Sequence, residues 1–192
     1  MIVNRKQLLS HGFVEGREKA LEIAEYALAE VDPGVATERL VRLEDNLLRV
    51  GDDVFDLKNY RNIYIVGAGK ATFPIASALD RILGDRITDG IIAVKDGQKA
   101  PLSRIRVMEA AHPVPDERSF AACEEVFKIA DKAKKEDMVF CLITGGSSAL
   151  CPYPVSGVSF KDKMVMNDLL VHSGADIIEI CTVRKHLSQI KG

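Results

Sequence analysis

Ile63-Tyr64-Ile65-Val66 is an apolar, mostly β-branched run closed at once by Gly67-Ala68-Gly69, and apolar residues at helical spacing follow it. No other feature restricts the fold as much. A short apolar run without polar alternation reads as a strand covered on both faces, the habit of parallel sheets. A parallel neighbour needs a crossover, usually a helix, and such crossovers are right-handed. The unit then recurs. Residues 70–83 read as a helix carrying Ile75, Ala78, Leu79 and Ile82, and Gly90–Val94 as a second buried strand. Ile105–Met108 is a shorter third strand, and residues 116–135 are a helix with Asp116 as its N-cap. Met138–Ile143 is a fourth strand, ending at Thr144-Gly145-Gly146, and residues 159–173 and 176–190 read as two more helices.

This alternation predicts an α/β fold, an open and mostly parallel sheet with helices on both faces, Rossmann-like. Ahead of it, residues 12–31 read as an amphipathic helix (Leu21, Ala24, Leu28, Val31) that Asp32-Pro33-Gly34 is expected to stop. Residues 41–50 fit either a hairpin turning at Asp45-Asn46 or a helix. The expectation is one α/β domain with a helical N-terminal extension. A chain of 192 residues, 47% hydrophobic, can build such a core without staples.

Composition narrows the partners. A net charge of -2, 6% aromatic residues and no Trp argue against nucleic-acid binding, which favours basic faces and stacking platforms. No apolar stretch approaches the ~20 residues of a membrane span, and Met1–Lys6 lacks the apolar core of a signal peptide. The reading is a cytoplasmic protein with no membrane partner. Cys123, Cys141, Cys151 and Cys181 form no Cys-x-x-Cys pair and have no His at zinc spacing, so four reduced cysteines are expected, without metal or disulfide.

Ligands of open α/β sheets sit beyond the carboxyl ends of the strands. Four segments deserve scrutiny as chemistry. In Gly67-Ala68-Gly69-Lys70-Ala71-Thr72 the glycines let backbone N–H groups approach an anion, and Lys70 at a helix start opposes the macrodipole unless an anion lies between. Neither familiar fingerprint is complete. Thr72 stands where a dinucleotide loop has its third Gly, and Tyr64 and Ala71 replace the first Gly and the Ser/Thr of a Walker A loop. A tight turn with a solvated Lys remains open. Thr144-Gly145-Gly146-Ser147-Ser148 offers backbone and hydroxyl donors suited to a carboxylate or phosphate, though a plain flexible loop would look the same. His112, between Ala111 and Pro113, is a ligand donor, a general base or a hydrogen-bonded loop residue. Arg184-Lys185-His186 forms a basic cluster at a helix end, which taken alone is a solvated face.

Taken in order, Val66–Ala71, His112–Asp116, Thr144–Leu150 and Thr182–Gly192 resemble the N-terminal part of the class II glycerate kinases, the glycerate 2-kinases. Each stretch is modest alone; four in chain order are specific. The resemblance implies ATP-dependent phosphorylation of D-glycerate at its 2-hydroxyl, with a divalent cation, Mg2+, as cofactor. It implies Lys70 and Arg184 as catalytic groups. Gly67, Gly69, Gly145, Gly146, Ser147, Ser148, Lys185 and His112 would bind substrate or phosphate, and metal ligands stay unassigned. Charge neutralisation around a glycine-rich cradle is what phosphoryl transfer needs.

The family pattern has Asn at the position of Cys181, and a thiol poorly replaces an amide. Family members continue past the position of Gly192 into more of this domain and then a smaller second domain, so residues 1–192 alone are expected to lack turnover and possible self-association is expected. Two other readings stay open: a hydroxypyruvate reductase-like NAD(P) oxidoreductase, and a non-catalytic anion-binding fragment. Against the first, Asp89 lies twenty residues past Gly69 but begins a strand, where the ribose-binding acid ends one.

Overall fold

The computed structural model describes residues 2–98 and 100–191. Met1 of the N-terminal segment and Gly192 of the fourth motif therefore lie outside the described residues. The chain opens with α1 (Arg5–Leu8), α2 (Val14–Glu30) and α3 (Pro33–Leu40), followed by β1 (Val41–Glu44), β2 (Leu47–Val50) and β3 (Asp53–Asp56). The α/β unit follows as β4 (Ile63–Ala68), α4 (Thr72–Leu83), β5 (Asp89–Lys95), β6 (Arg106–Ala110), α5 (Glu117–Lys132) and β7 (Met138–Ile143). It ends with α6 (Ser147–Leu150), α7 (Phe160–His172) and α8 (Ile177–His186).

The four strands of the main sheet are all parallel, in the order β6-β5-β4-β7. Every residue of β4 is buried. Ile63 and Ile65 face Ala76, Leu79 and Leu83 of α4, together with Ile92 and Val94 of β5. Tyr64 and Val66 face the opposite way, toward Ile91 and Ile129 of α5. Helices on both faces are thus a direct result of unalternated apolar strands, each fully buried Ile or Val adding about 1.5–3 kcal/mol. Asp80 is the buried acid of α4, and its carboxylate accepts from the Ser103 and Arg104 N–H groups at 2.7 and 3.0 Å.

In the N-terminal extension α2 ends at Glu30, as the stop at Asp32-Pro33-Gly34 implies, and the same three residues go on to begin α3. Asp32 Oδ1 accepts from Gly34 N–H at 2.9 Å and Val35 N–H at 3.0 Å, with Pro33 in the first turn. Proline there forfeits only a donor that the helix would leave unpaired. Residues 41–50 resolve to the hairpin, with Asp45 at φ 54°, and β3 extends it to a three-stranded antiparallel sheet. Its Val41 and Leu48 pack behind α4 in the core of that face.

The cysteine reading is corrected. Cys123 of α5 and Cys151 after α6 are joined in a disulfide, their Cα atoms 4.9 Å apart, whereas Cys141 and Cys181 are free and exposed. The two bonded residues lie 28 apart in sequence and meet because α6 folds back onto α5, a contact that spacing does not encode. Among the described residues no helix is long and apolar enough to cross a membrane.

Candidate functional site

β4 has β5 on one side and β7 on the other. The connection through α4 carries the chain one way and the connection through α5 returns it on the far side, so the loops leaving β4 and β7 diverge. That divergence is where open α/β sheets open a crevice. The two glycine loops occupy it and are bonded together. Lys70 N–H donates to the Gly145 carbonyl at 2.9 Å, and Thr144 N–H to the Ala68 carbonyl at 3.2 Å. Thr144 Oγ1 accepts from Ala71 N–H and pairs with Thr72 Oγ1, both at 3.1 Å.

Two glycines are required by this closeness. Gly69 has φ +145°, and a Cβ there would stand 2.0 Å from Thr144 Oγ1. Gly146 has φ +93°, and its Cβ would meet His112 Nε2 at 2.9 Å and Lys70 Cγ at 3.1 Å. Three of the residues singled out from sequence therefore converge on one point: Lys70, His112 and Gly146. Gly67 lies within β4 against Leu142, and Gly145 is exposed beside the Lys70 side chain. Helix α4 begins at Thr72, later than expected, so the exposed Lys70 precedes its first turn.

Beyond His112 and Gly146 a cavity of about 510 Å³ opens between the 112–115 segment, α6, α7 and α8, and Ser148 and Arg184 line it too. His112 is followed by a cis peptide bond to Pro113. Lys70, Ser147 and Lys185 are not among its lining residues. Lys185 follows Arg184 by about 100° around α8 and is exposed. Ser147 N–H is engaged by the Thr144 carbonyl at 3.3 Å. Cys181 is exposed and outside the cavity lining.

The cavity adds residues that the sequence reading missed: Lys163, Asn167, Asp168 and His172 of α7, and Lys191. Lys163 is only 3% exposed; burial, and then the charge of Lys191, push its ammonium down to about 8. Lys191 is also lowered, by burial first and then by Arg184. Cations crowded into a partly dry cavity repel one another, and an anion among them would relieve both effects. One carboxylate, Asp168, lines the same space. Among the described residues no group of three or more His, Cys, Asp or Glu could hold a metal ion. These side chains thus do not fit a protein-built Mg2+ cage.

Residues 19–192 match the family described as a domain of unknown function, DUF4147. The chain belongs to the DUF4147 family. A glycerate 2-kinase of Pyrococcus horikoshii is 40% identical to this DUF4147 chain over 176 residues, covering 92% of it and 39% of the relative. A crystal structure of a Pyrococcus horikoshii protein superposes with a TM-score of 0.83 at 40% identity, over 92% of this chain and 39% of that one. A protein of Agrobacterium vitis named as a putative hydroxypyruvate reductase is 44% identical over 128 residues, 67% of this chain and 29% of its own. The chain thus spans about two fifths, or less, of the length of these DUF4147 relatives.

Proposed function

We propose that this chain forms the N-terminal region of the α/β domain of an ATP-dependent D-glycerate 2-kinase, with the rest of that domain and a smaller second domain supplied by further residues. The observation that carries the reading is the cationic cavity, with Lys163, Arg184 and Lys191 on its walls, opening beside the Lys70–Gly146 contact at the carboxyl edge of the sheet. A phosphate and a carboxylate are the anions such a cavity suits, and D-glycerate with ATP brings both. The kinase name of the Pyrococcus horikoshii relative supports the same chemistry.

In this reaction the 2-hydroxyl oxygen of glycerate bonds to the γ-phosphorus as the bond to the β,γ-bridging oxygen breaks; ADP leaves, and the hydroxyl proton is released to solvent. Charge spreads over the equatorial phosphoryl oxygens, so the protein's work is positioning and neutralisation. Lys70 is held by its own N–H to Gly145, at the meeting of the two loops, and supplies one cation there. Arg184 supplies a planar fork from the opposite wall. Gly146, Ser148 and His112 line the space between and offer donors to the carboxylate.

The oxidoreductase reading has less support. Thr72, at the third-glycine position, is fully buried at the start of α4. Asp89 opens β5 at the amino edge, where it pairs with Lys132 at 3.4 Å and Arg106 at 4.0 Å. The seven residues of β5 separate it from the carboxyl edge by roughly 20 Å. The test joins residues 1–192 to the part of the Pyrococcus horikoshii relative beyond its matched region and assays ADP release with D-glycerate. Turnover is expected, and Lys70→Ala lowers kcat/KM by about a thousandfold or more, in line with the loss of a preorganised transition-state cation. Oxidation of NADH with hydroxypyruvate, with no ADP release, would replace the kinase by the reductase.

A further inference from the structure

Helix α7 buries only one residue, and that residue is a lysine. Lys163 Nζ donates to the Tyr153 carbonyl at 3.1 Å and to the Leu187 carbonyl at 2.7 Å. Tyr153 lies in the segment that follows α6, and Leu187 caps the end of α8. These two stretches also form the antiparallel bridge Pro154–Ser188, with Val155 N–H on Leu187 O and Gln189 N–H on Tyr153 O. One ammonium therefore staples the strip that links the glycine loop's helix to the basic helix.

Four residues further along the same face of α7, Asn167 Oδ1 accepts from Arg184 Nε at 3.1 Å. A guanidinium has five N–H donors, and engaging Nε leaves the two Nη groups as a fork. Among the described residues the Nη groups have no hydrogen-bond partner, while Arg184 lines the cavity. A lysine buried only for packing would be costlier than a leucine. Both polar residues of this face instead grip α8, at Arg184 and at Leu187.

We propose that Lys163 and Asn167 are positioning residues that hold the Arg184 fork toward an oxyanion in the cavity. The proposal rests on the reading of that cavity as an anion site. Lys163 sets the separation of the two walls, Gly146–Ser148 on one side and α8 on the other. Asn167 sets the rotation of the guanidinium. The oxyanion they serve is a carboxylate or phosphoryl group, since both accept a bidentate pair.

The test uses residues 1–192, inorganic phosphate as the probe, and nuclear magnetic resonance of the Arg184 Nε–Hε group. In the unaltered chain Hε is expected to exchange slowly, and phosphate is expected to shift its resonance. Asn167→Ala is expected to leave the backbone spectrum folded, to speed Hε exchange about tenfold or more, and to weaken phosphate binding about tenfold. Asn167→Asp separates orientation from charge: Hε stays protected, yet phosphate weakens because the new carboxylate competes for the guanidinium. Lys163→Met, which keeps length and loses the donors, is expected to weaken phosphate binding with Asn167 intact. Unchanged Hε exchange and phosphate affinity in Asn167→Ala overturn the proposal, whether or not Lys163→Met folds. Protected Hε without any phosphate binding in the unaltered chain overturns the anion reading of the cavity and leaves the Asn167–Arg184 orientation standing.

Discussion

At Gly69 the site depends on the absence of a single methyl group. A Cβ there would lie 2.0 Å from Thr144 Oγ1 and 2.8 Å from the Thr144 carbonyl oxygen, at a φ of +145° that side chains rarely adopt. Gly69→Ala is expected to destabilise the chain by about 3 kcal/mol, read from urea unfolding, through crowding and backbone strain together. Adding Thr144→Ala recovers only part of this, since the carbonyl contact remains; full recovery would show the backbone to be unstrained. The glycines and Lys70 were legible because they interrupt β-branched runs, and a break in a clear pattern is a local signal. Lys163 and Asn167 were not. Nothing local marks a lysine as buried when its partners are the carbonyls of Tyr153 and Leu187, one before it and one after it in the chain.

Helix α7 turns the usual rule of amphipathic helices around. Lys163 faces inward, while Val165, Met166, Leu169 and Val171 are exposed. The sequence reading placed a helix over residues 159–173 without assigning it a buried face; Ser159 caps it, its Oγ accepting from Asp162 N–H at 3.1 Å. The same inversion gives a pH signature. The Lys163 ammonium is lowered from 10.5 to about 8 in the folded chain, while the unfolded chain keeps the ordinary value. Between those two pH values the unfolded chain binds more protons, so this group makes folding more favourable as pH rises from about 8 toward 10.5. A neutral amine still has two N–H donors for its two carbonyls, so the staple survives deprotonation. Lys191 is shifted in the same direction, and Arg184, His112, His172 and Asp168 line the same cavity. Urea midpoints taken from pH 7.5 to 10 for the unaltered chain and Lys163→Met isolate the lysine. The difference is expected to shift in favour of the unaltered chain with rising pH; a constant difference would mean Lys163 is an ordinary lysine.

On the scale of the whole molecule, parallel strands and helices on both faces were readable because buried strands carry no polar alternation. The order β6-β5-β4-β7 was not, because right-handed crossovers leave open on which side of β4 the last strand pairs. β7 came to an edge, and there Val139 and Ile143 are 43% and 69% exposed on its outer face. Such an edge invites pairing with another chain. Ile143→Lys is expected to lower the apparent mass in sedimentation at high concentration without moving the melting temperature by more than a few degrees, and unchanged association would clear this edge of the role. The pairing of β7 with β4 also sets an order in time. Ile63 faces Met138, and Lys70 reaches Gly145, each across 75 residues of chain, whereas Tyr64 faces Asp89 across 25. Closing the longer loop is entropically dearer, so the β4–β5 pair with α4 is favoured to assemble first. During synthesis the ribosome must release residue 145 before Lys70 can find its partner carbonyl, and until then the nascent protein carries half of its glycine cradle facing solvent.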